Sequence, residues 1–177
     1  DPGRKLSVVD AGSPTQLVAG APGVALNAKT VSRGAAAAAA ELCGLADKMI
    51  TLATEYSQSR EQFGKAIGTF QNSRFKMASI RTELDAAWAL TDHCAREHLT
   101  GSLSAEMAAE VKLFTSEVEG RVVDECLQLH GGAGYMDEYE ISRLYRDARI
   151  SRIYAGTSEI MREIIGRGLG LDDRQRN

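Results

Sequence analysis

Proline is almost missing from this chain: there are three, at positions 2, 14 and 22, and none from residue 23 to residue 177. Nothing in that long stretch therefore breaks a helix by removing a backbone donor. Cysteine is also scarce. Cys43, Cys94 and Cys126 are odd in number, widely spaced and without a CxxC pair, which excludes a disulfide framework and a structural zinc site and leaves no metal-ligand set. That usage points to the cytoplasm or another intracellular, reducing compartment. No run of eighteen apolar residues is present, so no membrane span is expected, and Asp1-Pro-Gly-Arg-Lys lacks the apolar core of a signal peptide. Positive charge is not in excess either. A formal charge of −3 gives no support to a phosphate-neutralising nucleic-acid surface. What is present is apolar material: 44% of 177 residues is hydrophobic, enough for the core of one domain.

The prolines mark a boundary. Before residue 22, Lys5-Leu-Ser-Val-Val-Asp and Gln16-Leu-Val-Ala are short, partly β-branched pieces separated by Gly12-Ser-Pro. Two such pieces cannot form a stable sheet alone, so residues 1–21 read as the end of a β-domain and a linker. Residues 22–170 read as a helical bundle and 171–177 as a tail. Leu42, Leu45, Ala46, Met49, Leu52, Ala53 and Tyr56 recur at helical spacing, and the six alanines Ala35 to Ala40 extend that helix backwards. Alanine's small side chain suits a tight helix crossing or the close approach of a flat ligand. A second helix is expected from Gln71 to His98. Ser104 reads as the N-cap of a third, whose stripe runs Met107, Val111, Phe114, Val118, Val122, Cys126 and Leu129 to an end at Gly131-Gly-Ala-Gly. Shorter helices at Glu140–Arg149 and from Thr157 to Gly166 or Gly168 complete a mainly α, up-and-down bundle. Leu45, Met49, Ile80, Leu84, Val111, Phe114 and Val118 are expected to be buried.

Spacing alone yields little chemistry. GGxG at residues 131–134 follows a helix, so it reads as a C-terminal cap and not as a dinucleotide fingerprint, which needs a preceding strand. His130 has no nucleophile or paired carboxylate beside it and reads as a packed histidine. The series Arg143, Arg146, Arg149 and Arg152 reads as a solvated face partnered by Asp147, Glu138 and Glu140.

Three stretches in order carry more. Arg60-Glu-Gln-Phe-Gly-Lys-Ala-Ile-Gly-Thr-Phe-Gln, Gln128-Leu-His-Gly-Gly-Ala-Gly-Tyr and Ile153-Tyr-Ala-Gly-Thr-Ser-Glu-Ile-Met together resemble the C-terminal signature of the flavin-dependent acyl-CoA dehydrogenases. The resemblance covers nearly the whole chain, with residues 1–20 similar to the last strands of that family's middle β-domain. It implies an FAD flavoprotein that oxidises an acyl-CoA thioester between its α and β carbons, as part of fatty acid or lipid metabolism. Electron-transfer flavoprotein is the implied acceptor. The protein is expected to be an oligomer, a dimer of dimers, of one or two kinds of family subunit. Implied cofactor contacts are Arg60, Gln71 and the segment with Gln128, Gly131 and Gly132 toward a neighbouring subunit's FAD, Thr157, Ser158 and Glu159 toward flavin on their own side, and Gln62 and Phe70 as further cofactor-binding residues. Arg33 and Gly156 are the implied substrate contacts.

The same resemblance exposes a gap. Most members carry their proton-abstracting glutamate before Gly-Thr, where this chain has Ala155. Other members place it on the first bundle helix, at the position counted here as Gly34, and a neighbouring arginine position is Ala35. Glu41 is the nearest acid along that helix, but seven residues at about 1.5 Å each put it roughly 10 Å away. One reading is a subunit without its own base that completes structure and a shared FAD site; by that reading this chain alone is inactive. A second is an active dehydrogenase whose base sits elsewhere. A third, a helical interaction domain without flavin, leaves the Arg60, Gln71 and Thr157 pattern unexplained.

Overall fold

The computed structural model describes Gly12 and residues 18–171. The strand-like piece expected at 5–10, the start of the second at 16–17 and the tail from 172 lie outside them, while Val18 and Ala19 are in no strand. Five α-helices occur among the described residues: α1 (Gly20–Ser59), α2 (Gln71–Thr100), α3 (Ala105–His130), α4 (Glu140–Arg149) and α5 (Ser158–Gly168). They form the expected up-and-down bundle, with α3 at its centre against each of the other four. None is long and apolar enough to cross a membrane.

Local chemistry sets the ends. Pro22 falls in the first turn of α1, where the missing N–H costs nothing. Gly101, at φ +81°, ends α2 in the left-handed region, and its N–H and that of Ser102 take up the carbonyls of His98 and Glu97. Ser104 accepts from the Met107 N–H at 3.1 Å, and Thr157 does the same for Ile160 at 3.3 Å, so α3 and α5 both start on a hydroxyl cap. Gly131, at φ +59°, stops α3.

The main core joins Ala46, Met49 and Ala53 of α1 to Ile80 and Leu84 of α2, Val118 and Val122 of α3 and Ile141 of α4. Met49 and Leu84 are wholly buried, each contributing about 1.5 to 3 kcal/mol. A second cluster packs Ala39 of α1 against Cys94 and Val111, so the alanine run does serve a close helix crossing. Residues 20–34, by contrast, contribute no buried side chain.

Two expectations about the core need correction. Leu45 is only partly buried, and Phe114 is 37% exposed. For Phe114 the reason is that α3 turns a partly polar face inward: Lys112, Thr115, Ser116 and Glu119 are buried with Val111 and Val118. Thr115 and Ser116 donate back to the carbonyls of Val111 and Leu113, at 2.8 and 3.1 Å, which removes the cost of burying their hydroxyls. An apolar stripe drawn through Val111, Phe114 and Val118 therefore misplaces the centre of the buried face.

The loop between α1 and α2 holds a small hairpin, β1 (Glu61–Gln62) and β2 (Lys65–Ala66), paired antiparallel with Glu61 opposite Ala66. Phe63 and Gly64 form its turn, both at positive φ, +52° and +80°. Two-residue hairpin turns of this hand need positive φ at both positions, which glycine accepts easily and phenylalanine does not.

Candidate functional site

Gly34 and Ala155, 121 positions apart by subtraction (155 − 34), line one cleft. It is an apolar opening of about 610 Å³ between α1, which contributes Gly34, Ala35, Ala38 and Glu41, and the segment Tyr154-Ala155-Gly156 with Met161 of α5. Residues 34, 38 and 41 recur at helical spacing, which is why all three meet the same space. The lining has one carboxylate, Glu41, and neither Gly34 nor Ala155 supplies another. Arg33 is exposed and outside the lining.

The segment carrying Ala155 is held in an uncommon shape. Ala155 is at φ +55° and Gly156 at φ +96°. Gly156's backbone lies where side-chain-bearing residues are strained, which favours glycine there, and a Cβ would also push on the movable end of Met161. Such conformations persist when the surroundings fix them. Here the N–H groups of Ile153 and Tyr154 bond to the Ile150 carbonyl at 2.9 and 3.1 Å, and the Lys112 ammonium reaches in from α3. Beside this segment Glu117 accepts from the Ser158 hydroxyl at 2.9 Å and pairs with Arg152 and Arg162 at 3.5 and 3.7 Å. The Glu159 carboxyl is held below its ordinary range by hydrogen bonding to its own backbone N–H and then to the Thr157 hydroxyl, which makes it part of the α5 cap.

The other implied cofactor residues gather elsewhere. Arg60 follows α1 directly, its N–H bonded to the Tyr56 carbonyl at 2.8 Å. Tyr56 stacks on His130, with ring centroids 4.3 Å apart, and this contact joins the hairpin side of the loop to the end of α3. His130 is buried and its Nδ1 lies 2.7 Å from the Cys126 carbonyl, which occupies the ring in packing. Arg60, Gln62, Gln71, Gln128, Gly131 and Gly132 are all exposed. Phe70 is partly buried, edge-on to Phe63 at 6.3 Å and under the Lys65 ammonium at 4.3 Å. From Glu117, beside Thr157 and Ser158, to His130 there are thirteen helical residues, roughly 20 Å along α3. The implied contacts thus fall into two separate groups on one chain.

The arginine series is only in part the face expected. Arg146 pairs with Asp137 at 3.3 Å and Arg152 with Glu117, whereas Glu140 is taken by Lys48 of α1 at 3.4 Å. Sequence reading passed over Lys112 entirely, since a lysine between apolar helical positions carries no signal that distinguishes it from a solvated one.

Residues 22–170 match the family described as acyl-CoA dehydrogenase, C-terminal domain. The chain belongs to the acyl-CoA dehydrogenase family. Its similarity to 3-(aryl)acrylate reductase of Clostridium sporogenes is 38% identity over 141 residues, 80% of this chain and 37% of that protein. Butyryl-CoA dehydrogenase of Megasphaera elsdenii superposes with a TM-score of 0.80 at 36% identity, over 83% of this chain and 38% of the other. PigA, solved with FAD and proline, superposes at 0.74 with 30% identity, over 80% and 37%. The chain therefore spans little more than a third of the length of these relatives.

Proposed function

We propose that this chain is the C-terminal part of an acyl-CoA dehydrogenase-type flavoprotein subunit that completes an FAD site in a homo- or hetero-oligomer and lacks the usual proton-abstracting glutamate. The observation that carries the reading is the cleft itself. Both positions at which such a glutamate is expected, Ala155 and Gly34, line it, and neither bears a carboxylate.

The residues present suit the cofactor. Arg60 is an exposed guanidinium, and a Cβ added at Gly131 or Gly132 would meet nothing within 4 Å, so a pyrophosphate can come close to backbone and side-chain donors there. In this reading Thr157, Ser158 and Glu159 at the start of α5 contact flavin on the chain's own side. Two groups about 20 Å apart along α3 agree with contacts to two FAD molecules, one of them a neighbour's. When bound, FAD supplies the acceptor for the hydride that leaves the substrate's β-carbon. On this reading the Ala155 N–H donates to the thioester carbonyl, where it would favour the charge that develops as the α-proton is lost. No side chain at residue 155 can hold that proton. Arg33 and Gly156 remain the substrate contacts of this reading, acyl-CoA its ligand and electron-transfer flavoprotein its acceptor.

Co-purification of the complete protein with partners, followed by light scattering and a flavin absorbance spectrum, tests it. Flavin retained in an oligomer is expected. A flavin-free monomer in the presence of partners would contradict it. The second reading, an active dehydrogenase with a relocated base, has one observation in its favour: Glu41 lines the same cleft. Under that reading Glu41→Gln abolishes thioester oxidation; under the first there is none to abolish.

A further inference from the structure

Among the described residues Lys112 is the largest of the wholly buried side chains, and it sits in the N-terminal third of α3. A buried ammonium is costly unless its donors find acceptors. Its Nζ donates to the Ser151 carbonyl at 2.8 Å and to the Gly156 carbonyl at 2.6 Å, and it lies 5.9 Å from the centre of the Tyr154 ring. Burial lowers its pKa from the ordinary lysine value, and the charges of Glu117 and Glu119 oppose that shift. The two carbonyls it holds stand on either side of Ala155. One side chain thus ties both ends of the segment 151–156 to the central helix, while the segment's own hydrogen bonds go back to Ile150. Ala155 keeps its left-handed backbone, φ +55°, inside this clamp although it carries no acid to place.

We propose that Lys112 is a positioning residue that fixes the Ala155 N–H toward the cleft so that it can receive a thioester carbonyl, a role that rests on the acyl-CoA reading above. The protein then retains the carbonyl-binding half of the site without the proton-abstracting half, and it binds thioesters in preference to ligands that lack the carbonyl. Lysine suits the task because an unbranched stem carries three donors from the packed face of a helix to two carbonyls that face it. Methionine would fill much of the same volume and bond neither.

The test uses the complete flavoprotein and two probes, butyryl-CoA and 3-phenylpropanoyl-CoA, each beside the thioether in which a methylene replaces the carbonyl. In Lys112→Met, amide exchange at Ile153 and Tyr154 is expected to accelerate about tenfold or more, with Val118 and Val122 in the core of α3 unchanged. The preference for thioester over thioether should fall about tenfold, while affinity for CoA itself stays the same. Unchanged exchange at Ile153 and Tyr154 would overturn the clamp. Faster exchange with the thioester preference intact would overturn the positioning role. If the methionine variant fails to fold, Lys112→Gln, shorter but still a donor, must show both effects in smaller measure, and a variant indistinguishable from the unmodified protein refutes the proposal. An unmodified protein with no thioester preference for either probe sinks the acyl-CoA reading and the aim of the Ala155 N–H with it. The exchange measurement needs no ligand, so it still judges the clamp separately.

Discussion

Leu84 and Phe114 both look like core leucine-type positions in a helical stripe, yet one is wholly buried and the other is 37% exposed. Leu84→Ala is expected to cost about 2 to 5 kcal/mol of stability and Phe114→Ala under about 1 kcal/mol, measured by urea unfolding of the 177-residue chain. Cys126 gives a second test at this scale. Burial pushes its thiol from an ordinary 9.0 up to about 12, so the folded state keeps a proton that the unfolded state loses. The contribution is fully present below pH 9 and is lost as the pH rises toward about 12. The stability difference between the unmodified chain and Cys126→Ala should therefore shift toward the alanine variant across that window. Single residues also show what the sequence could and could not disclose. That residues 155 and 34 are alanine and glycine is plain in the sequence, and the family resemblance is what singles them out; that they line one cleft was not legible, because it depends on how α1 packs beside residues 154–161. Lys112 was not legible either, because burial of a lysine depends on carbonyls contributed by a segment 39 to 44 residues away.

Helix boundaries were the most readable elements, since caps act locally. Ser104 bonds the Met107 N–H and starts α3 where its hydroxyl and the following acid suggested. Ser104→Ala should destabilise the chain by about 1 kcal/mol. In a domain of this size that lowers the thermal midpoint by about 2 to 4 °C, a shift scanning calorimetry resolves. The β1–β2 hairpin was not read from the sequence. Strands of two residues are too short for alternation to show, and Phe63-Gly64 is not among the dipeptides that announce such a turn. The inner face of α3 was misjudged for a different reason: a helix surrounded by four others buries hydroxyls and the Lys112 ammonium, which donate to backbone carbonyls, and apolar periodicity is blind to them.

Across the whole molecule, the fold brings distant sequence into two places: the cleft that joins residues 34 and 155, and the exposed end where the Tyr56–His130 stack ties Arg60 to the Gly131 turn. If the second place meets a neighbour's FAD, Arg60→Ala in the complete protein should weaken flavin retention about tenfold to a hundredfold while helical content by circular dichroism stays constant. Unaltered retention would remove Arg60 from the cofactor site. The central claim, a family subunit without its own base, is tested most directly by anaerobic mixing of the complete flavoprotein, purified free of partners, with acyl-CoA thioesters. The expected result is a perturbed flavin spectrum without bleaching, and a rise in bleaching rate of about 10² to 10⁴ in Ala155→Glu. Rapid bleaching by the unmodified protein, lost in Glu41→Gln, would contradict it.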